Sequence, residues 1–243
     1  MNNNENIKQM SITQIILYHL LPGVPILLLA ILFANPNWGF GMSSFLALMF
    51  AIMFGLVPVQ LFIIALTAKK QGVKFMDVIS YTKKTPIIKF LLWTAPSFGV
   101  MGLAFMVLSN IEHNLWTNFT LMPDWFRLDK FVLEDHNINI LRLTAVMNIV
   151  FNGLLGPIVE EFYFRGFLMP RMAKLGKSAP LVNSALFSLY HFFTPWEIIT
   201  RIIGVTPLAY AVWYNKDIRI GIVLHCAGNL VGAISMAVAV FQM

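Results

Sequence analysis

The chain has 243 residues, of which 58% are hydrophobic and only 12% charged, with a mean hydropathy of +0.73. A soluble domain carries about 25% charged residues, so this composition excludes a soluble globular protein and leaves a polytopic membrane protein. The net charge of +6 does not point to nucleic acid, because the basic residues crowd into alternate loops.

A bilayer core about 30 Å thick needs about 20 apolar residues per helix. In chain order, stretches of this kind fall at 12–34, 43–68, 86–108, 140–160, 180–195, 198–214 and 219–241. They predict an all-α, polytopic membrane helical bundle with about seven transmembrane helices. The 21 Phe follow no period-2 alternation, which argues against an outer-membrane barrel. Only MNNNENIKQM precedes the first stretch, and no small-residue cleavage site follows it, so it reads as a retained helix. Cys226 is alone and forms no intrachain disulfide. No repeat divides the chain, and a single membrane domain covers 1–243.

Lys69, Lys70, Lys74, Lys83, Lys84 and Lys89 crowd the second connection. Arg165, Arg171, Lys174 and Lys177 follow the fourth span, and Lys216 and Arg219 lie before the last. The connection from Ser109 to Asn139 instead carries Glu112, Asp124, Asp129, Glu134 and Asp135 against Arg127 and Lys130. The positive-inside rule then places the N-terminus in the cytoplasm and the C-terminus outside. The expected location is multi-pass in a bacterial plasma membrane, with the bilayer itself as partner and no nucleic acid.

An ionisable residue inside a span costs about 2.5–3.5 kcal/mol on insertion scales and marks function by default. Glu160, Glu161, His191 and His225 are such residues. On a helix Glu161 and Arg165 are i,i+4 neighbours that can pair, while Glu160 is turned about 100° away and left free. In FSLYH, Phe187 and His191 share a helix face; in HCAGN, His225 and Asn229 do. At ~1.5 Å per residue, His225 lies roughly 9 Å inward from Arg219, Glu160 roughly 7 Å from Arg165 and His191 roughly 16 Å from Pro180. These depths agree well enough for one pocket, expected to open to the cytoplasm.

A carboxylate in a partly dry site is a general base for water, a neutral histidine can share its proton, and an asparagine can donate to an oxyanion. The set reads as a water-activating hydrolytic site. No H-E-x-x-H and no G-x-S-x-G occurs. Metal-dependent and metal-free activation of the water stay equally open, with Glu160, His191 and His225 as candidate ligands of a divalent ion such as Zn2+.

EEFYFR (Glu160–Arg165), FSLYH (Phe187–His191) and HCAGN (His225–Asn229) resemble, in order, the E-E-x-x-x-R, F-x-x-x-H and H-x-x-x-N motifs of the CAAX-protease and bacteriocin-processing (ABI) family of intramembrane endopeptidases. The resemblance covers roughly 140–240. It implies a helical membrane fold with a conical cavity open to the cytoplasm, and a membrane-associated peptide or protein as substrate. It further implies that Glu160 activates water with help from His191, that His225 and Asn229 stabilise the oxyanion or help hold a metal, and that Glu161 with Arg165 braces the site. A proton-coupled transporter and a non-catalytic immunity or scaffold protein are the competing readings. No inverted repeat supports the transporter.

Overall fold

The computed structural model describes residues 7–117, 122–128 and 131–243. Asp129 and Lys130, counted above in the acidic connection, and the N-terminal residues 1–6 lie outside the described residues. Helices α1 (Ile12–Leu20) and α2 (Gly23–Ala34) together make the first apolar stretch. The Ser11 hydroxyl accepts from Gln14 N while the Gln14 side chain accepts from Ser11 N, a capping box that starts α1. Helix α3 (Ser44–Ala51) runs into α4 (Val57–Gln71), which stops at Gly72 in the left-handed conformation (φ 67°). Then come α5 (Ile87–Thr117), α6 (Ile138–Met147), α7 (Gly156–Glu160), α8 (Ala179–Tyr190), α9 (Ile198–Asn215) and α10 (Ile218–Phe241).

Three wide, π-helical turns join these helices, at Ile52–Leu56, Asn148–Leu155 and Glu161–Leu168. Each is followed within two residues by a proline, Pro58, Pro157 or Pro170. Proline has no N–H to donate and its ring crowds the carbonyl four residues back, so the backbone ahead of it widens. The widened turns leave carbonyls available to side chains. Asn229 Nδ2 donates to Asn152 O at 2.9 Å, and Asn183 Nδ2 donates to Phe164 O at 3.0 Å.

The loops sort to two ends, as their charges require. At the basic end Ser80 N donates to Gly166 O (2.8 Å), Lys83 N to Lys216 O (3.0 Å) and Met10 N to Arg171 O (3.0 Å), and Thr82 bridges to Asp217. At the other end the Glu112 carboxylate accepts from Ile199 N and Thr200 N, both at 2.8 Å, where it completes the free donors and faces the positive dipole end of α9. Asp217 is buried at the basic end, and Thr85 N and Arg219 donate to its carboxylate at 2.8 Å and 2.6 Å.

Five helical stretches have the length and apolar character to cross a bilayer: Ile12–Ala34, Ser44–Gln71, Ile87–Trp116, Ile138–Tyr190 and Ile218–Phe241. The expected count of seven differs because the 140–160 and 180–195 spans lie largely within one 53-residue helical run that reverses at Met172 and Gly176, and because the 198–214 stretch, helix α9, is not among the five. Helix α8 has 12 residues, about 18 Å of rise, so it enters from the basic end and stops partway, at His191. The outer face of α5 carries Ile87, Ile88, Leu91, Leu92, Leu103 and Met106, each more than half exposed, as a lipid-facing surface requires. Phe164, Phe167, Phe187 and Tyr190 pack in the core beside the glutamates. Tyr163 and Phe164 are packing residues, fully buried, as are Met169 and Met172.

Candidate active site

The end of α7 and the wide turn after it carry Glu160, Glu161 and Arg165 into the interior, where their side chains are 5%, 0% and 0% exposed. Glu161 Oε1 accepts from Arg165 Nη1 at 2.9 Å and lies 3.0 Å from His225 Nδ1. The Arg165 guanidinium also lies 4.2 Å from the Phe187 ring centre, a cation–π contact. The i,i+4 pair therefore forms as the spacing predicts, and it extends to a third residue from α10.

Glu160 faces the other way and stands between two imidazoles. Its Oε1 is 3.7 Å from His191 Nε2 and its Oε2 is 3.7 Å from His225 Nε2. His191 Nδ1 is 2.8 Å from the carbonyl of Phe187, and a carbonyl only accepts, so Nδ1 holds the proton. Glu161 orients His225 Nδ1 in the same manner. Each neutral ring then presents a bare Nε2 lone pair to Glu160. A separation of 3.7 Å is too long for a direct hydrogen bond, and two acceptors facing each other need a proton or a water between them.

Phe187 is the hub of the three motifs: its ring centre lies 4.8 Å from that of His191 and 5.6 Å from that of His225. Asn229 sits apart from this contact. Its amide donates to Asn152 O and, at 3.4 Å, to Asn152 Oδ1, while Asn152 Nδ2 donates to Asn148 Oδ1 at 2.9 Å. Both Asn229 and Asn152 line the same cavity as Glu160, His191 and His225.

Four participants carry no sequence motif. The Tyr190 hydroxyl is buried in the core, and Gln60 Nε2 of α4 donates to it at 3.3 Å. Asn152 anchors Asn229. A Cβ built on Gly221 would collide with Glu161 Oε2, so only glycine lets α10 approach that carboxylate. A glutamine inside an apolar span was the one signal in the sequence that could have found Gln60.

Among the described residues, no three His, Cys, Asp or Glu side chains are arranged to hold a metal ion. Glu160, His191 and His225, the candidate zinc ligands, do not form such a set.

The cavity, about 750 Å³, has Glu160, His191 and His225 in its wall and runs along α3, α5 and α10 as far as Ser109, Asn110 and Glu197. Those residues belong to the acidic end. Arg165 and Gly166 close the other side, with Gly166 packed against Ile79 and Ile218. The first half of the 138–168 run lines the cavity, and most of Glu161–Leu168 is buried in the core.

Residues 142–231 match a family model described as type II CAAX prenyl endopeptidase Rce1-like. The matched segment covers 90 of the 243 residues. The match spans all three motifs and agrees with the CAAX-protease family that those motifs resemble. The Rce1-like segment also contains Asn152, Tyr190 and Gly221, whereas Gln60 reaches it from outside. No curated protein and no solved structure matches the chain.

Proposed function

We propose that the chain is an intramembrane endopeptidase and that Glu160 is the base that activates the attacking water. The observation that carries this reading is the Glu160 carboxylate standing between the Nε2 atoms of His191 and His225 at 3.7 Å each, on the wall of a cavity large enough for a peptide. The Rce1-like match supports the reaction class.

Water held against Glu160 gives it a proton as its oxygen bonds to the scissile carbonyl carbon, and the carbonyl oxygen becomes an oxyanion. His225, held at Nδ1 by the Glu161 carboxylate, stands beside that oxyanion and shares with Glu160 the proton taken from the water, so that its Nε2 donates to the oxyanion. Glu160 then returns its proton to the leaving amine nitrogen as the C–N bond breaks. His191, fixed by the Phe187 carbonyl, orients the water and shares its proton. Asn229 acts through Asn152, which holds it to the cavity wall, and is the second oxyanion donor when its amide turns to the substrate. Glu161 and Arg165 position His225. The substrate class is a membrane-associated peptide.

The purified protein, reconstituted in liposomes with a quenched fluorogenic membrane peptide, tests the proposal. Cleavage by the wild type and none by Glu160→Gln or His191→Ala is expected, with all three proteins inserted and folded. Normal turnover by either variant overturns the assignment.

A further inference from the structure

We propose that the basic end of the bundle holds the headgroup of an anionic phospholipid, seated where the start of α5 meets the end of α9, with its acyl chains along the lipid-facing side of α5. None of the residues that form this place lines the cavity, and the binding does not depend on peptidase activity.

The last turn of α9 ends in two adjacent aromatic residues, Trp213 and Tyr214, and each holds a lysine. Lys216 Nζ lies 4.6 Å from the Trp213 ring centre, 4.5 Å from that of Tyr81 and 3.5 Å from the Tyr81 hydroxyl. Lys89 Nζ of α5 lies 5.3 Å from the Tyr214 ring centre, and that ring packs on Trp93 at 5.2 Å. An aromatic face attracts an ammonium but leaves its charge in place, so both lysines are positioned without being neutralised. Lys83 joins them through its backbone N–H, which donates to Lys216 O at 3.0 Å, and Lys84 follows it, exposed. Asp217, the acid next to Lys216, is already taken by Arg219 and by Thr85 N. Among the described residues no acidic side chain pairs with Lys83, Lys84, Lys89 or Lys216. These lysines form a positive patch without a counter-charge of its own.

The same surface continues directly into apolar side chains. Ile88, Leu91 and Leu92 flank Lys89 on α5, and each is more than half exposed. A soluble anion would meet only the lysines, whereas a phospholipid lays its acyl chains on these residues as its phosphate oxygens accept from the ammonium groups. Trp93, Trp213 and the exposed Tyr214 are of the kind that marks the headgroup level of a bilayer. Lysines clustered at that level favour anionic over zwitterionic lipid.

Native mass spectrometry of the full chain in detergent, titrated with phosphatidylglycerol, phosphatidylcholine or inorganic phosphate, tests this. The wild type should retain phosphatidylglycerol in preference to phosphatidylcholine. The double variant Lys89→Gln/Lys216→Gln should bind phosphatidylglycerol about tenfold more weakly or worse. Lys69→Gln/Lys70→Gln, which loses two lysines from the end of α4, should bind within a few-fold of the wild type. Equal retention of the two lipids overturns the proposal. An equal loss in the two double variants overturns it as well, because binding would then follow overall charge and not this patch. Displacement of phosphatidylglycerol by inorganic phosphate at equal concentration also contradicts it, since the patch would then hold a free anion. If the change at Lys216 impairs folding, Lys89→Gln alone, at an exposed position, should show a smaller loss of the same kind, and wild-type affinity in that variant would sink the proposal.

Discussion

His225 Nδ1 lies 3.0 Å from Glu161 Oε1, the same oxygen that accepts from Arg165 Nη1 at 2.9 Å. One carboxylate oxygen therefore ties the arginine of the first motif to the histidine of the third. The other oxygen, Oε2, is buried without a hydrogen-bond partner against Gly221. The two adjacent glutamates thus divide the labour: Glu161 holds structure together and Glu160 faces the cavity.

Glu161→Ala strands Arg165, whose side chain is fully buried with Nε and Nη2 already unpartnered. Breaking a buried pair in this way costs about 3–5 kcal/mol. Thermal unfolding in detergent should show a much larger fall for Glu161→Ala than for Glu160→Gln. Equal melting temperatures would mean that the pair is solvated.

Gly221→Ala adds one methyl group where it meets the Glu161 carboxylate and Val212. Overpacking of this kind costs about 1–3 kcal/mol, and the displaced carboxylate would release His225. The variant should lose both stability and peptide cleavage. Wild-type behaviour in both assays would show that α10 can move away at no cost.

The basic end should be sensitive to acid through Asp217. Burial opposes ionisation of this carboxyl, but the bonds from Arg219 and from Thr85 N outweigh it and hold its pKa below the ordinary value. A carboxyl depressed in the folded state stabilises the protein above its unfolded pKa of about 3.9, and that contribution is lost as pH falls through the lower folded value. Asp217→Asn should therefore melt below the wild type at pH 7, with the gap closing as pH falls below about 4. A gap independent of pH would assign the effect to packing alone.

The three motifs were legible because helical spacing alone places Glu161 by Arg165 and Phe187 by His191. Their meeting around Glu160 followed from similar depth. Tyr190, Gln60, Asn152 and Gly221 were not legible in this way, since each acts through a partner on a distant element that no local pattern names. The alternation of basic and other loops was readable in the charges, and the basic loops meet at one end of the bundle. The number of crossings was not, because apolarity does not distinguish a helix that spans from α8, which ends partway at His191. The prolines at 58, 157 and 170 marked the wide turns, yet only the folded chain shows that Asn229 and Asn183 bind the carbonyls these turns expose.

His191 gives a graded test of the orienting role. His191→Gln keeps a polar side chain near Glu160 but cannot reproduce an imidazole held at Nδ1 by the Phe187 carbonyl. Losing one proton-transfer partner should lower kcat about 10²–10⁴-fold with little change in melting temperature. A rise in KM alone, with kcat retained, would place His191 in substrate binding instead.

The central claim is tested most directly by the rate of peptide cleavage by Glu160→Gln in liposomes, measured beside the wild type at equal reconstituted amounts. The substitution keeps the shape of the side chain between His191 and His225 and removes the base. The account predicts active wild type, a variant with turnover reduced at least about 10²-fold, and matching melting temperatures. Turnover by Glu160→Gln within a few-fold of an active wild type would contradict it.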